Sequence, residues 1–402
     1  MSKIRIEELQ PGKAAAVDVT TPDGRVLLAK GCKIEPWHIT LLRGLGIASI
    51  EVEDSLDNQL MNQASEYVHE FFAFVNPDNP AIVEMYNFTV GLVAHRLTDG
   101  WKLPSLTERR ATNVEHLSDV FPMEIVSPDR IVTHETSLAS FPDVYFKLQE
   151  EINSHQASVS RLASVVSQDV SLTAKLLKLT NSPLYGFSDP VESIDRAISV
   201  IGLNELSTLA LGISAINYFK GIPPELIDME SFWHHSIACG IFASILAKTL
   251  GEHNTERFFI AGLLHDAGRL ILFKEMPYAS SDALLFAREN VLPVVEAEQA
   301  VFNFSHTTVS EHLLRQWKFP QQLSDLINFH HEPLAAPHPR EAAIIHVADI
   351  LANSVDIAAG GMYVLPSFEE KAWDMLGIPA DAIRRVCSDF EIQAGKTIKA
   401  FF

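Results

Sequence analysis

A histidine and an aspartate stand side by side within an apolar stretch of this 402-residue chain, and the pair strongly constrains the fold. The stretch reads Ala261-Gly-Leu-Leu-His265-Asp266-Ala-Gly268, and its composition predicts a buried helical segment. Two polar side chains buried there would be unfavourable unless a partner group or a metal ion satisfied them. The fold must therefore bring suitable partners to His265 and Asp266.

Four further groups of metal-binding side chains lie along the same half of the chain. They are His235, His306, the doublet His330-His331, and Asp349. Metal sites in helical folds take their ligands from inward faces of several helices, so the ligands are widely separated in sequence. The ordered set predicts a metal centre with the ligands His235, His265, Asp266, His306, His330, His331 and Asp349. Asp266 is the natural bridging ligand, because a carboxylate has two oxygens to share.

Composition limits the class of protein. Apolar residues make up 47% of the chain and charged residues 20%, a balance typical of globular proteins. The formal net charge is −20, and no cluster of Lys and Arg is evident. Binding to a nucleic-acid backbone needs such clusters, so we expect no nucleic-acid partner.

Cysteine content and hydropathy indicate the compartment. The three cysteines, Cys32, Cys239 and Cys387, lie far apart and form no CxxC pair, which favours a reducing cytoplasm over a disulfide framework. No segment approaches the roughly 20 apolar residues of a membrane span, and the N-terminus lacks a signal-peptide core. We therefore expect a soluble cytoplasmic protein with no membrane association.

The chain divides into four predicted segments. Residues 1–54 combine β-prone runs around Pro22-Asp23-Gly24 with a short helix, and predict a small α+β unit. Residues 55–140 read as a helical pair followed by a polar linker from about Asp99. Residues 141–355 predict helices joined by short turns, and residues 356–402 a helical extension. The fold class is mainly α.

Several motifs together resemble the HDOD domain, the HD-related output domain of bacterial signalling proteins. The segment from Leu162 to Tyr185 contains Ser-Gln-Asp-Val-Ser-Leu-Thr-Ala-Lys and ends in Asn-Ser-Pro-Leu-Tyr. Leu263-Leu-His-Asp-Ala-Gly-Arg269 is similar to the motif that names the HD superfamily, and the similarity continues through Trp317 and His330-His331 to about residue 355. Since that family places a serine directly after its first histidine, the resemblance favours His235 over His234, which remains the alternative.

The resemblance implies two functions. HDOD domains are generally regarded as output modules that have lost catalysis, so the first is a regulatory protein that binds signalling proteins or a small nucleotide-type ligand, with homo-oligomerisation left open. The retained ligand set favours the second, a metal-dependent phosphohydrolase or phosphodiesterase acting on a nucleotide or cyclic nucleotide, in which Asp266 and Arg269 would be catalytic. The mixed imidazole and carboxylate ligands of the predicted centre suit one or two ions of iron, manganese, nickel or zinc. Pro-Leu-Ala follows His330-His331-Glu332 where related cyclic di-GMP hydrolases have Gly-Tyr-Pro, so that activity is not expected.

Overall fold

The structure is a computed structural model that describes most of the chain in two compact units. The described residues are 2–7, 9, 13–21, 26–32, 34–52, 58–103, 117–121, 126–138, 143–152, 158–187, 189–219, 221–355 and 364–401. One unit comprises Met1–Ser65 with Val93–Lys102, and the other comprises Glu66–Leu92 with Leu103–Phe402. The segment boundaries from sequence, at residues 54, 140 and 355, stay predictions.

The first unit has the mixed composition of strands and helix that the sequence predicts. Strand β1 (Ser2–Arg5) pairs antiparallel with β4 (Ser49–Val52), and β2 (Val19–Thr20) pairs antiparallel with β3 (Val26–Leu28). Helix α1 spans Pro36–Gly44. The buried apolar residues of this unit include Ala15, Leu28, Ile34, Leu42 and Ile50. The predicted turn at residues 22–24 lies outside the described residues.

All remaining described elements are helices, which confirms the mainly α fold class. In chain order they are α2 (Asn58–Phe71), α3 (Pro80–Thr98), α4 (Pro128–Leu138), α5 (Asp143–Ile152), α6 (Val159–Val166), α7 (Val170–Thr180), α8 (Ile194–Ile201), α9 (Leu203–Tyr218), α10 (Met229–Thr249), α11 (Thr255–Leu264), α12 (Ala267–Glu275), α13 (Pro277–Asn290), α14 (Val294–Phe302), α15 (His306–Gln316), α16 (Gln321–Asn328), a 3-10 turn (Pro333–Ala335), α17 (Pro339–Val355), α18 (Glu370–Leu376) and α19 (Ala382–Phe401). No described helix is both long and apolar enough to cross a membrane.

Side-chain caps fix where several of these helices begin. Asp169 accepts a hydrogen bond from the Leu172 N–H at 2.9 Å, and Asp228 accepts one from the Ser231 N–H at the same distance. Ser158 and Ser193 cap α6 and α8 in the same way. Each cap satisfies a backbone donor that the helix leaves free, and stabilises the helix by about 1 kcal/mol.

Helix α10 is the central helix of the second unit. Nearly all its residues from Phe232 to Ala247 are buried, as expected for a helix that is apolar on all sides. It packs against α11, α17 and α19. This position turns His235, near the start of α10, toward the interior.

Two glycines let α10 and α11 approach closely. A Cβ at Gly262 would lie 2.6 Å from the backbone nitrogen of Gly240, and a Cβ at Gly240 would lie 2.6 Å from the carbonyl oxygen of Phe259. Neither backbone atom can move aside as a flexible side chain could. This contact sets the distance between His235 on α10 and His265, which directly follows α11.

Gly262→Ala is therefore expected to lower the free energy of unfolding by about 3 kcal/mol, the upper end of the range for overpacking. Chemical denaturation of the variant and the wild type measures the difference. Gly395→Ala is the matched control, because Gly395 lies inside α19 with nothing within 4 Å of the added Cβ. We expect this control to be neutral or stabilising by about 0.5–1 kcal/mol. Equal effects at the two positions would contradict the close helix approach.

Helix α4 lies within the stretch that the sequence analysis assigned to a linker. Its inward face carries Ile131, Val132 and Glu135, all essentially buried, and packs on α12 and α15. The polar composition of the helix concealed this face. The prolines Pro104 and Pro122, on which the linker prediction partly rested, lie outside the described residues.

Two buried carboxyl groups meet where α4 packs on α12. Glu135 forms an ion pair with Lys274, whose Nζ lies 2.7 Å from Oε1 of the carboxylate. Oε2 of Glu275 lies 2.6 Å from Nδ1 of His134. Burial, followed by the contact with Glu135, raises the pKa of Glu275. Tyr218 also faces Glu135, and burial raises the pKa of this phenol.

The raised pKa of Glu275 predicts a pH dependence of stability. A proton binds this carboxyl group more tightly in the folded chain than in the unfolded chain, so its contribution falls as pH rises through the folded-state pKa. Relative to wild type, Glu275→Gln should therefore gain more stability at about pH 7.5 than at about pH 5. Urea denaturation at both values measures the gain, with Glu289→Gln, on the exposed side of α13, as control. A larger gain at the lower pH would contradict the assignment.

Candidate metal centre

The predicted ligands come together in the interior of the second unit. His235 lies on α10, His265 and Asp266 form the junction of α11 and α12, and Asp349 lies on α17. His306 begins α15, and His330 and His331 follow α16. His265, His306 and His330 have no exposed surface, and His235, Asp266 and Asp349 are at most 2% exposed. Five separate segments therefore contribute to one buried cluster.

The first group of ligand atoms is formed by His235, His265, Asp266 and Asp349. Asp349 Oδ1 lies 3.2 Å from Nε2 of His235 and 3.4 Å from Nε2 of His265. The two Nε2 atoms are 3.3 Å apart, and Asp266 Oδ2 is 3.5 Å from that of His265. Atoms bound about 2.1 Å from one ion at tetrahedral angles lie about 3.4 Å apart. These four distances match those expected between ligand atoms of one ion.

The second group is formed by Asp266, His306, His330 and His331. Each offers a ligand atom, and these atoms all lie within 4.8 Å of one another. Asp266 Oδ1 is 3.1 Å from Nε2 of His306. The Nε2 atoms of His330 and His331 are shielded from solvent without a hydrogen-bond partner among the described residues. Buried polar atoms without partners fit the role of metal ligands. Asp266 belongs to both groups, as its two oxygens allow.

Backbone carbonyls fix the orientation of two ligand histidines. Nδ1 of His265 is 2.7 Å from the carbonyl oxygen of Gly262, and Nδ1 of His330 is 2.6 Å from that of Ile327. Because a carbonyl only accepts, Nδ1 carries the proton in each contact and donates it. This arrangement directs Nε2 toward the cluster, as is usual for histidines that bind metals.

Glu298 and Arg269 support the second group from behind. Glu298 Oε2 accepts hydrogen bonds from the backbone N–H of His306 at 2.9 Å and from its Nδ1 at 2.5 Å. Arg269, 1% exposed, donates to Asp266 Oδ2 at 2.7 Å and to Glu298 Oε1 at 3.0 Å. Its third nitrogen lies 3.2 Å from Nδ1 of His306. The guanidinium thus holds Asp266 directly and His306 through Glu298.

Gly268 allows this arrangement at the start of α12. A Cβ there would lie 2.1 Å from the carbonyl oxygen of His306 and 2.7 Å from the backbone nitrogen of Ser310. Instead, the Gly268 N–H donates to Ser310 Oγ at 3.0 Å. The absence of a side chain therefore lets the first turn of α12 contact α15, which holds Asp266 beside His306.

The electrostatics of the cluster keep the carboxylates charged and two histidines neutral. Burial opposes charge on Asp266, but Arg269, His265 and His306 more than offset it and hold the pKa of this carboxyl well below its usual range. Burial lowers the pKa of His330 to about 3 and also lowers the pKa of His331. Neutral imidazoles and ionised carboxylates are the forms that bind metal ions.

The structure also separates the two adjacent histidines on α10. His235 faces the cluster, whereas the side chain of His234 is 36% exposed and lies 4.0 Å from Glu230. Cys239 lies one helical turn after His235, is fully buried, and offers its sulfur beside His265 and Asp349. Burial raises the pKa of this thiol. The sequence analysis did not include Cys239, although its i+4 spacing from His235 places the two on one helix face.

Glu298 was also absent from the predicted site. It lies on α14, eight residues before His306, within Val294-Val-Glu-Ala-Glu298. Two glutamates occur in this segment, and only the fold distinguishes buried Glu298 from exposed Glu296. The sequence shows that this helix carries glutamates, but nothing in it indicates that Glu298 contacts His306.

A helical domain with a buried His and Asp cluster of this kind defines an HD-type fold. Residues 138–333 match the family model of the HDOD domain, so this part of the chain is an HDOD domain. The match begins near the start of the domain predicted from sequence and ends before its predicted end at residue 355.

Solved structures share the fold. A protein of Shewanella amazonensis SB2B, provisionally named a phosphohydrolase, is 22% identical and aligns over 68% of this chain and 98% of its own, with a TM-score of 0.54. An HDOD domain protein of unknown function from Geobacter sulfurreducens has the same identity and coverage, with a TM-score of 0.52. A protein of Marinobacter aquaeolei VT8, provisionally named a signal transduction protein, is 19% identical over 69% of this chain and 68% of its own, with a TM-score of 0.50. At these identities the likeness concerns the fold.

Two curated relatives match shorter parts of the sequence. An uncharacterized protein of Treponema pallidum is 25% identical over 237 residues, which are 59% of this chain and 45% of the relative. The uncharacterized protein YuxH of Bacillus subtilis is 34% identical over 62 residues, or 15% of each chain. The chain thus spans less than half the length of either curated relative.

Proposed function

We propose that this protein is a signalling protein whose HDOD domain binds a divalent metal ion and acts by binding a partner protein or a small ligand. The observation that carries the proposal is the buried cluster of His235, His265, Asp266 and Asp349, which is joined by four contacts of 3.2–3.5 Å between ligand atoms. If the cluster held no ion, the burial of so many polar atoms would be energetically unfavourable. A metal ion satisfies them together.

Charge balance favours one ion rather than two. With the histidines in the neutral form that binds metal, Asp266, Asp349 and Glu298 carry three formal negative charges and Arg269 one positive charge, so the buried cluster has a formal charge of −2. One divalent ion brings this charge to zero, whereas two would leave an excess of +2 in the protein interior. Uncompensated buried charge is strongly unfavourable. The proposed stoichiometry is therefore one divalent ion per chain.

Imidazole and carboxylate ligands suit iron, manganese, nickel or zinc. When bound, such an ion supplies Lewis acidity and lowers the pKa of a coordinated water. The residues of this chain hold the ligands in position: Gly262 and Ile327 orient two histidines, and Glu298 orients His306.

A regulatory role is supported by the position of Arg269. The resemblance to hydrolases suggests that this residue contacts a substrate phosphate, but the guanidinium is buried and hydrogen bonded to Asp266 and Glu298. A group fixed in this way supports the ligands from behind. The second candidate function, hydrolysis of a nucleotide or cyclic nucleotide, is favoured by the retention of a ligand candidate at all seven predicted positions.

A phosphodiester panel separates the two candidates. The protein, loaded in turn with iron, manganese, nickel and zinc, is incubated with cyclic mononucleotides, cyclic dinucleotides and a chromogenic phosphodiester. We expect bound metal and no turnover above that of Asp266→Asn. Turnover that requires metal and is abolished by Asp266→Asn, with unchanged circular dichroism, would favour the hydrolase instead.

A further inference from the structure

A cavity of about 740 Å³ adjoins the metal centre at His331. This residue lies on the cavity wall and also belongs to the second group of candidate ligands. The volume is within the roughly 300–1,000 Å³ of small-molecule sites and far exceeds the space that one ion or water needs. The cavity therefore has room for an organic ligand beside the centre.

The charges on the wall are of one sign. Glu296, Glu311, Asp325 and Glu332 line the cavity, and none of the described residues on its wall is lysine or arginine. Their four formal negative charges repel a phosphate and attract a cation. Sites for phosphate groups characteristically supply arginine, lysine or helix N-termini. The wall thus disfavours a nucleotide at this position.

Other groups on the wall favour a cation that also donates hydrogen bonds. Phe329 offers an aromatic ring, and cations bind over the faces of such rings. Oδ1 of Asn328 is shielded from solvent and has no hydrogen-bond partner in the described part of the chain. Carboxylates and an amide oxygen match the N–H groups of an ammonium ion.

We propose that this cavity binds an organic amine, in the form of a small ammonium ion or polyamine, at the wall of the metal centre. The proposal rests on the proposed function, because it names the chemical class of the small ligand. It departs from the expectation of a nucleotide-type ligand. Binding of the amine and occupancy of the metal site are measured separately, so either can fail without the other.

Spermidine is the probe, and isothermal titration calorimetry at low salt measures its binding to the full chain. The double variant Glu311→Gln, Asp325→Asn removes two carboxylates from the wall and keeps the side-chain shapes. We expect it to weaken binding by about 2- to 30-fold, since each of the two exposed ion pairs contributes about 0.2–1 kcal/mol and 1.4 kcal/mol is tenfold. Metal content determined on the same samples shows whether the centre is intact.

The net charge of −20 makes unspecific attraction of a polycation a serious alternative. Glu289→Gln is therefore the control, because this exposed glutamate on α13 does not line the cavity. The proposal predicts wild-type affinity for this variant and no detectable binding of inorganic phosphate or a cyclic dinucleotide in the cavity. It would be overturned by absence of spermidine binding, by equal loss in control and cavity variants, or by tighter binding of the cyclic dinucleotide. A wild-type sample that binds spermidine but takes up no divalent metal would contradict the metal proposal alone.

Discussion

Arg269→Met is expected to lower the free energy of unfolding of metal-free protein by about 3–5 kcal/mol, the usual range when one partner of a buried ion pair is removed. The substitution keeps much of the side-chain volume but leaves Asp266 and Glu298 without their 2.7 and 3.0 Å contacts. The formal charge of the cluster falls from −2 to −3. Urea denaturation in the presence of a chelator measures the loss.

Added metal should recover part of this stability. A divalent ion neutralises Asp266 directly, so the difference between Arg269→Met and wild type should shrink when manganese or zinc replaces the chelator. Arg340→Met is the matched control, because the Arg340 side chain is 45% exposed and its ion pair with Glu252 lies at the surface. Its effect should stay below about 1 kcal/mol and be independent of metal. A metal-independent loss at Arg269 would contradict the role assigned to this residue.

His235→Ala should weaken metal binding by about 100-fold or more, because loss even of an outer residue that orients a ligand weakens metal binding by about 10–100-fold. His235 lies 3.2 Å from Asp349 Oδ1 and 3.3 Å from Nε2 of His265, within the first group. Titration calorimetry with manganese or zinc on chelator-stripped protein measures the affinity.

His234→Ala provides the control for this substitution. The two histidines are neighbours on α10, but His234 points toward Glu230 at the surface. Its removal should change the affinity by less than about twofold, in line with the small energies of exposed pairs. A larger loss at His234 than at His235 would mean that the inward face of α10 is assigned incorrectly.

Much of the fold could be predicted because the apolar periodicity is strong. Helices α10 and α11 are rich in apolar residues and are therefore expected in the protein interior. The N-cap residues Asp169 and Asp228 mark helix starts in the sequence itself. Helix α4 was missed because most of its residues are polar, and its buried Glu135 reads as a surface residue. Only the contact with Lys274 shows why a glutamate is acceptable there.

The ligands were predictable from residue type and order, whereas their supports were not. His265 and Asp266 stand out because apolar residues surround them in sequence. Glu298 reads as an ordinary charged residue of a helix, and Arg269 was expected to be catalytic rather than supporting. Their supporting roles depend on the approach of α12, α14 and α15, which a sequence does not display. Cys239 is intermediate, since its spacing from His235 was visible and its contact with Asp349 was not.

Elemental analysis of protein purified without chelator tests the central claim most directly. The chain is supplied with iron, manganese, nickel and zinc during expression, and bound metal is quantified after desalting. The cluster of four ligands, together with a formal buried charge of −2, predicts about one divalent ion per chain, lost in His235→Ala and retained in His234→Ala. Less than about 0.1 ion per chain in the wild type, or equal content in both variants, would contradict the assignment of this site as a metal centre.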